Sequence, residues 1–258
     1  RTARQRRHRQ SRPIEPLRGP CHDARMTTVS AQAQRLRAYE RWLGRPSLSS
    51  AMMRWAMSPT GVFLTSGPLF RLPESLQLSP AMRVLEIGTG RGALLRMLDD
   101  RLHFDHAPVG INLSAAALRL ARRDERRAGG PLRLARASGT ALPFAAGSFD
   151  LILSGHSVKQ LDDGELIELL REVRRTLAEG GLAVIWDFAP TGNRTLDRWN
   201  GRVLSTGGNA PRLRSTQALL PAAELAGFEF TRDAQLRPFL LPPIPRASIL
   251  VGRPPGGE

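Results

Sequence analysis

The nine residues Val84–Gly92, V-L-E-I-G-T-G-R-G, are the part of this sequence best suited to hold a small charged ligand. A strand that stops in glycines and turns into a helix lets backbone N–H groups approach a ligand at the strand's carboxyl end. Dinucleotide sites space the glycines G-x-G-x-x-G, so that the diphosphate rests on the helix N-terminus. Here the spacing is G-x-G-x-G, and Glu86 stands two residues before the first glycine. A buried carboxylate beside the loop would repel a diphosphate but suits the ammonium of an amino-acid moiety. Groups able to move a proton are expected after neighbouring strands. His156 follows the fourth apolar run and has a suitable intrinsic pKa; it reads either as a base or as a polar residue lining the pocket. Asp187, after the fifth run, reads as a second base or a loop hydrogen-bond acceptor. Lys159 is expected to be solvated or pocket-lining. His8 and His22 lie near the N-terminus and His103 and His106 before the second strand, away from this loop. No cluster has metal-ligand spacing, so no metal is expected.

These groups need a scaffold, and the pattern after Pro80 supplies one. Apolar runs at Met82–Ile87, Pro108–Ile111, Leu132–Ala137, Phe149–Leu153 and Leu182–Trp186 alternate with helical periodicities. Ala93–Leu102 turns Leu94, Leu95 and Leu98 to one side. Ser114 can cap a helix that Gly129-Gly130-Pro131 stop. Over Asp163–Leu177 the residues Leu166, Leu170, Val173 and Leu177 form one stripe, Arg171, Arg174 and Arg175 suit the C-terminal dipole, and Gly180-Gly181 are expected to end the helix. A helix near Ser215–Ala226 and strands at Phe228–Thr231 and Ala247–Val251 complete the series, with Pro242-Pro243-Ile244-Pro245 as a rigid connector. Alternation of this kind predicts a parallel sheet covered by helices on both faces.

In these landmarks the chain resembles the class I S-adenosylmethionine-dependent methyltransferases over roughly residues 80–252. Besides the glycine loop, Val109–Ser114 resembles the family's second motif. Ala141-Leu142-Pro143-Phe144 and Gly147–Asp150 resemble the approach to strand four, Leu170–Gly181 with LAVIW the following helix and strand, and Ala226-Gly227-Phe228 the approach to strand six. The resemblance implies an α/β, Rossmann-like fold: a seven-stranded, mostly parallel sheet whose last two strands make an antiparallel edge. It implies S-adenosylmethionine as cofactor, with Glu86, Gly88, Thr89, Gly90 and Gly92 around its methionine and ribose portion. Asn112 would face the ribose hydroxyls, Leu113 the adenine ring, Ser138 and Gly139 the adenine edge, and Ser154 the methionine end. Asn112 and Ser138 stand where the family usually has acids. Two neutral hydrogen bonds in place of charged ones lose about 2 kcal/mol, roughly thirtyfold in affinity.

Composition frames the rest. With 258 residues and a single cysteine, Cys21, the chain can bury a full core and forms no internal disulfide, which fits a cytoplasmic location. No apolar run is long enough for a membrane span, and no membrane partner is expected. The formal charge is +15, but residues 1–25 hold eight arginines against Glu15 and Asp23, and Lys159 is the only lysine. An arginine bias of this kind resembles coding bias as much as phosphate binding, so a nucleic-acid partner is not expected. Residues 1–25 read as a disordered Arg-rich leader, with Met26 a more ordinary start. Residues 26–75 read as an N-terminal helical cap, with helices at Ala31–Trp42 and Ser49–Met57 and a turn at Ser58–Gly61. Residues 76–258 read as the S-adenosylmethionine-dependent methyltransferase domain. The cap and the loop Pro190–Leu213 are expected to shape the acceptor pocket, with Trp199 packed or serving as a lid contact. After strand four, Ser154-Gly155-His156-Ser157 lacks the Asn/Asp-Pro-Pro-aromatic motif of DNA adenine enzymes, and Cys21 cannot serve cytosine chemistry. The expected reaction is methyl transfer to a small molecule at O, N or C. The alternatives are a non-catalytic S-adenosylmethionine-binding scaffold and an RNA methyltransferase.

Overall fold

The run Val84–Ile87 is buried at every position, including Glu86, as a strand covered on both faces must be. It forms β1 of a seven-stranded sheet in a computed structural model that describes residues 20–66, 78–128, 132–234 and 245–254. The other strands are β2 (Val109–Asn112), β3 (Arg133–Arg136), β4 (Phe149–Gly155), β5 (Leu177–Phe188), β6 (Phe230–Asp233) and β7 (Arg246–Gly252). Their order is β3-β2-β1-β4-β5-β7-β6. The first five pair in parallel, while β7 runs antiparallel between β5 and β6, so the last two strands make the expected antiparallel edge, with β6 outermost.

The helices are α1 (Pro20–Leu43), α2 (Leu48–Ala56), α3 (Pro59–Ser66), α4 (Ala93–Leu102), α5 (Ala115–Ala128), α6 (Asp163–Thr176), α7 (Arg194–Val203) and α8 (Thr216–Leu225). Strand alternation sorts the core into two layers. Leu85, Ile87 and Ile152 pack with Leu166, Leu170 and Val173 of α6 and Leu219 and Ala223 of α8. Val84, Leu151 and Leu153 pack with Leu94, Leu95 and Leu98 of α4 on the other side. Helix α6 starts on a reciprocal capping box: the Glu165 amide donates to Asp162 Oδ1 at 2.9 Å and the Asp162 amide to Glu165 Oε2 at 2.8 Å.

Several sequence expectations shift. Helix α1 starts at Pro20, inside the stretch read as an unstructured leader, while residues 1–19 lie outside the described residues. Pro59 opens α3 where a turn was expected. Proline is tolerated in a helix's first turn, and Ser58 Oγ accepts the Gly61 amide at 3.2 Å. Gly180 and Gly181 do not end α6, which stops at Thr176. They lie in the early, bulged part of β5, where the register slips between Leu177 and Leu182 and Gly180 is left-handed at φ 73°. Much of the loop 190–213 is helix α7, capped by Asn193 Oδ1, which accepts the Thr195 and Leu196 amides at 3.0 and 3.2 Å. Trp199 on that helix is half exposed rather than packed. The Gly129–Pro131 stop and most of the Pro242–Pro245 connector fall outside the described residues.

Candidate functional site

Parallel pairing brings the chemistry to one end of the sheet. Ile87 is in register with Ile111 and Ser154, and Gly155 with Trp186, so the carboxyl ends of β2, β1, β4 and β5 lie side by side. After β1 the chain turns through Gly88, Gly90 and Gly92, with φ values of 81°, 55° and 71° that residues with a Cβ adopt at a cost. The Gly88 and Thr89 amides both donate to Ile111 O, at 2.9 and 3.0 Å, which ties the turn to β2. Among the described residues the Gly90 and Arg91 amides have no acceptor. Amides without an acceptor in a glycine turn are available to an anionic ligand group.

Glu86 lies beneath this turn, buried, with the Thr89 hydroxyl donating to its Oε2 at 2.6 Å. Gly110 makes room for that contact, since a Cβ there would come within 2.9 Å of Thr89 Oγ1. No cation pairs with Glu86 among the described residues. Burial pushes its carboxyl up to about 7, and the Thr89 hydroxyl opposes this only in part.

The opposite situation holds at the ends of β4 and β5. Asp187 is buried, and its Oδ2 accepts the Lys159 amide at 2.8 Å and its Oδ1 the Phe188 amide at 2.8 Å. Lys159 Nζ stands 3.4 Å from Asp187 Oδ1 and also donates to the His156 carbonyl. Burial alone would raise the Asp187 carboxyl. The Lys159 ammonium, His156 and the Lys159 amide outweigh it and bring it down to about 2. Lys159 is therefore neither solvated nor a bare pocket wall: it is 5% exposed and neutralises Asp187.

His156 sits on the same cluster in a left-handed conformation, φ 54°, which costs a non-glycine residue about 1 kcal/mol or more. Its amide donates to Trp186 O at 2.9 Å, and its ring lies 4.5 Å from that of Phe188. Nδ1 is buried without a hydrogen bond, 3.8 Å from Asp187 Oδ1, beyond hydrogen-bond reach but within ion-pair range. Burial lowers the imidazole pKa. Asp187 opposes that shift, and the Lys159 and Arg246 charges add to it.

The remaining sequence candidates are placed as follows. Asn112 Oδ1 accepts the Ser114 amide at 2.8 Å in a local turn before α5, which leaves one lone pair and the Nδ2 group for other partners. Leu113 follows it, half-buried, with its carbonyl accepting from Arg136 Nε at 3.0 Å. Ser138 Oγ is 2.9 Å from Thr140 Oγ1. Gly139 packs so tightly that a Cβ would meet Leu169 Cδ1 at 2.4 Å and Ile87 Cγ2 at 3.0 Å, which draws this loop to the end of β1. Ser154 is buried, 2.8 Å from Ser157 through the hydroxyls.

Five contributors went unrecognised in the sequence. Ser157 lies against Gly88, where a Cβ would come within 2.7 Å of its own. The cap supplies the others. Met57, at the end of α2, places its sulfur 3.3 Å from where a Cβ of Gly90 would stand, and the Tyr39 hydroxyl donates to that sulfur at 3.9 Å. Burial, with Glu40 beside it, pushes the Tyr39 phenol up to about 12. Glu40 Oε1 accepts the Ala115 amide at the start of α5 at 2.7 Å, and Arg35 Nη2 donates to Glu165 Oε1 at 2.5 Å. Helix α1 thus bridges the first turns of α5 and α6 across the carboxyl end of the sheet. No local pattern announces such contacts, because each partner lies 75 or more residues away in the chain.

Comparison with known proteins agrees with this geometry. Residues 84–181 match the model of a methyltransferase domain. A demethylmenaquinone methyltransferase of Thermus thermophilus is 34% identical over 108 residues, 42% of this chain and 48% of that protein. A cycloartenol-C-24-methyltransferase of Oryza sativa subsp. japonica is 28% identical over 173 residues, 64% of this chain and 48% of that one. The chain therefore spans about half the length of these curated relatives. Among solved structures, the S-adenosylmethionine-dependent methyltransferase SibL superposes with a TM-score of 0.64 at 19% identity, covering 84% of this chain and 62% of that one. A methyltransferase of Methanosarcina mazei superposes with a TM-score of 0.57 at 18% identity over 71% and 97%. Both share the fold.

Proposed function

We propose that this chain, whose residues 84–181 match a methyltransferase domain, transfers a methyl group from S-adenosylmethionine to a small-molecule acceptor at O, N or C. One observation carries the reading: Glu86 is a buried carboxylate with no cation among the described residues, beneath a turn whose Gly90 and Arg91 amides have no acceptor among them. This donor set fits an amino acid that brings its own ammonium and carboxylate. The spent half of a diphosphate-binding motif would have no use for the acid. Bound there, S-adenosylmethionine supplies a sulfonium methyl that is already activated for transfer.

The protein's own contribution is then placement and proton management. Glu86 ionises against the ligand's ammonium, and the Gly90 and Arg91 amides orient the opposite end. Asn112, Leu113, Ser138 and Gly139 would line the nucleoside side, with Ser154 below. Met57 and Tyr39 cover the turn and exclude water. His156 is neutral near pH 7 because its pKa is lowered. With Nδ1 buried toward Asp187, Nε2 is the nitrogen left to accept a proton from an acceptor O–H or N–H. Asp187 would stabilise the imidazolium that results, and Lys159 holds Asp187 ionised. The demethylmenaquinone and cycloartenol in the names of those relatives support an apolar acceptor.

His156→Ala tests the assignment. Turnover of labelled donor should fall at least tenfold with donor affinity nearly unchanged, and wild-type turnover would remove His156 as the base. A second reading, a donor-binding scaffold without catalysis, has one observation in its favour. Asn112 and Ser138 both spend hydrogen-bonding capacity locally. Calorimetry separates the two: a donor that does not bind at millimolar concentration would end the catalytic reading.

A further inference from the structure

Two helices at the site end of the molecule carry their apolar faces outward. On α2, Leu48, Met52 and Trp55 recur at i, i+4 and i+7, one face of a helix, and Trp55 is 50% exposed. On α7, Leu196, Trp199 and Val203 do the same at i, i+3 and i+7, with Trp199 also 50% exposed. A helix in a globular protein ordinarily turns such a stripe to the core. Here the buried positions are polar: Ser50 on α2 and Asn200 on α7.

The charges around these faces have one sign. From Arg41 to Ser66 there is no acidic residue, while Arg41 and Arg45 are exposed. On α7 the exposed Arg194, Arg198 and Arg202 form a stripe beside the apolar one. Its acid, Asp197, is spent on the Thr191 amide and hydroxyl, both at 2.7 Å. Between the cap and α5 lies a cleft of about 310 Å³, with Leu43, Pro46 and Leu120 among its walls and Arg45, Arg119 and Arg123 offering guanidinium groups. An apolar interior ringed by arginines matches a ligand with an apolar body and an anionic head. Both helices attach to α1, α2 through Arg54 Nη1 donating to Leu43 O at 2.7 Å, and α7 through the following turn, where Asn209 Nδ2 donates to Arg35 O at 3.4 Å.

We propose that α2 and α7 form a docking surface that lies on an anionic phospholipid bilayer, with Trp55 and Trp199 at the headgroup level and the flanking arginines on lipid phosphates. Amphipathic helices that lie in the membrane interface combine an apolar stripe, aromatic side chains and a basic flank. Exposed arginines beside such a stripe gain further from an anionic leaflet. Spanning is a separate matter: among the described residues no helix is long and apolar enough to cross a membrane. For the surface, this proposal revises the sequence-based expectation of no membrane partner. The bilayer is preferred over a second copy of this chain because the +15 charge disfavours self-association and favours anionic lipid.

Co-sedimentation of the full chain with extruded vesicles tests the proposal without donor or acceptor, so its outcome is independent of the methyl-transfer reading. At 150 mM salt the protein should pellet with phosphatidylcholine vesicles containing 30% phosphatidylglycerol, and at least fivefold less with phosphatidylcholine alone. Leu48→Ser/Met52→Ser/Trp55→Ser and Leu196→Ser/Trp199→Ser/Val203→Ser should each weaken partitioning at least tenfold, with thermal melting as the control for folding. Brominated lipid should quench tryptophan fluorescence in the unaltered protein. Partitioning unchanged in both triple variants would overturn the proposal, since the remaining arginines alone would then hold the protein. Absence of quenching would overturn it too, as would a dimer that buries these faces and ignores vesicles.

Discussion

Glu86 at the end of β1 and Asp187 at the end of β5 are both carboxylates buried in the same sheet, yet they are pushed in opposite directions. Glu86 rises to about 7, and Asp187 falls to about 2. Burial acts alike on both and raises each. The difference lies in what the protein itself supplies. Asp187 has a buried ammonium 3.4 Å away and two backbone amides, whereas Glu86 has one hydroxyl. A carboxylate that has its cation is a structural element, whereas one without it among the described residues can receive a cation from outside. In the proposed function the paired acid would orient His156, and the unpaired acid would meet the ammonium of the methyl donor.

The sharpest way to break this comparison is to remove the internal cation. Lys159→Met would leave Asp187 charged and unpaired in the core and should destabilise the protein by about 3–5 kcal/mol, read by chemical denaturation. Adding Asp187→Asn should recover most of that loss, and no recovery would mean that Lys159 acts by packing alone. The same logic predicts the reverse sign at β1. With its pKa above the unfolded value, Glu86 keeps its proton in the folded state, so stability falls as pH rises from about 4.5 to about 7 and is level above that. Glu86→Gln should therefore stabilise the free protein at pH 8, by on the order of 3 kcal/mol, while weakening donor binding. Asp187 contributes in the opposite sense: its stabilisation is complete above about pH 4 and is lost as pH falls through about 2. A third consequence concerns the ligand. If Glu86 must ionise against the ammonium, donor affinity measured by calorimetry should rise roughly tenfold between pH 6 and pH 8, and Glu86→Gln should flatten that slope. The smallest effect is expected at the cap. Arg35→Ala removes the cation of the buried Glu165, which keeps the Asp162 amide, and should cost about 1–2 kcal/mol while leaving Glu86 and Asp187 as they are.

How much of this could be seen in the sequence varied with how local the cause was. The strands were legible because a buried parallel strand is an apolar run that needs no context, and α4, α5 and α6 because their stripes are local. Glu86 stood out as the acid two residues before the first glycine of the loop. Helix α7 was missed although its signals are present, an Asn193 cap and apolar residues at 196, 199 and 203. Its apolar stripe sits among arginines and glycines, which locally signal a loop. Pro59 signals a stop because proline ends helices far more visibly than it begins them. Lys159 was out of reach for a different reason: Asp187, the carboxylate it pairs with, is 28 positions away on β5. Asn112 shows the limit at short range, since its position suggested a ligand role while its Oδ1 meets an amide two residues on.

The sulfur of Met57 resting against Gly90 has a consequence for how the two ends of the cap communicate. The same helix that shows Leu48, Met52 and Trp55 to the outside ends on the turn that would receive the donor. Any event that shifts α2 outward uncovers Gly90, and any ligand seated on Gly90 presses on α2. Thermodynamic reciprocity then requires that whatever factor the outer surface imposes on affinity at the turn, the turn returns to the outer surface unchanged.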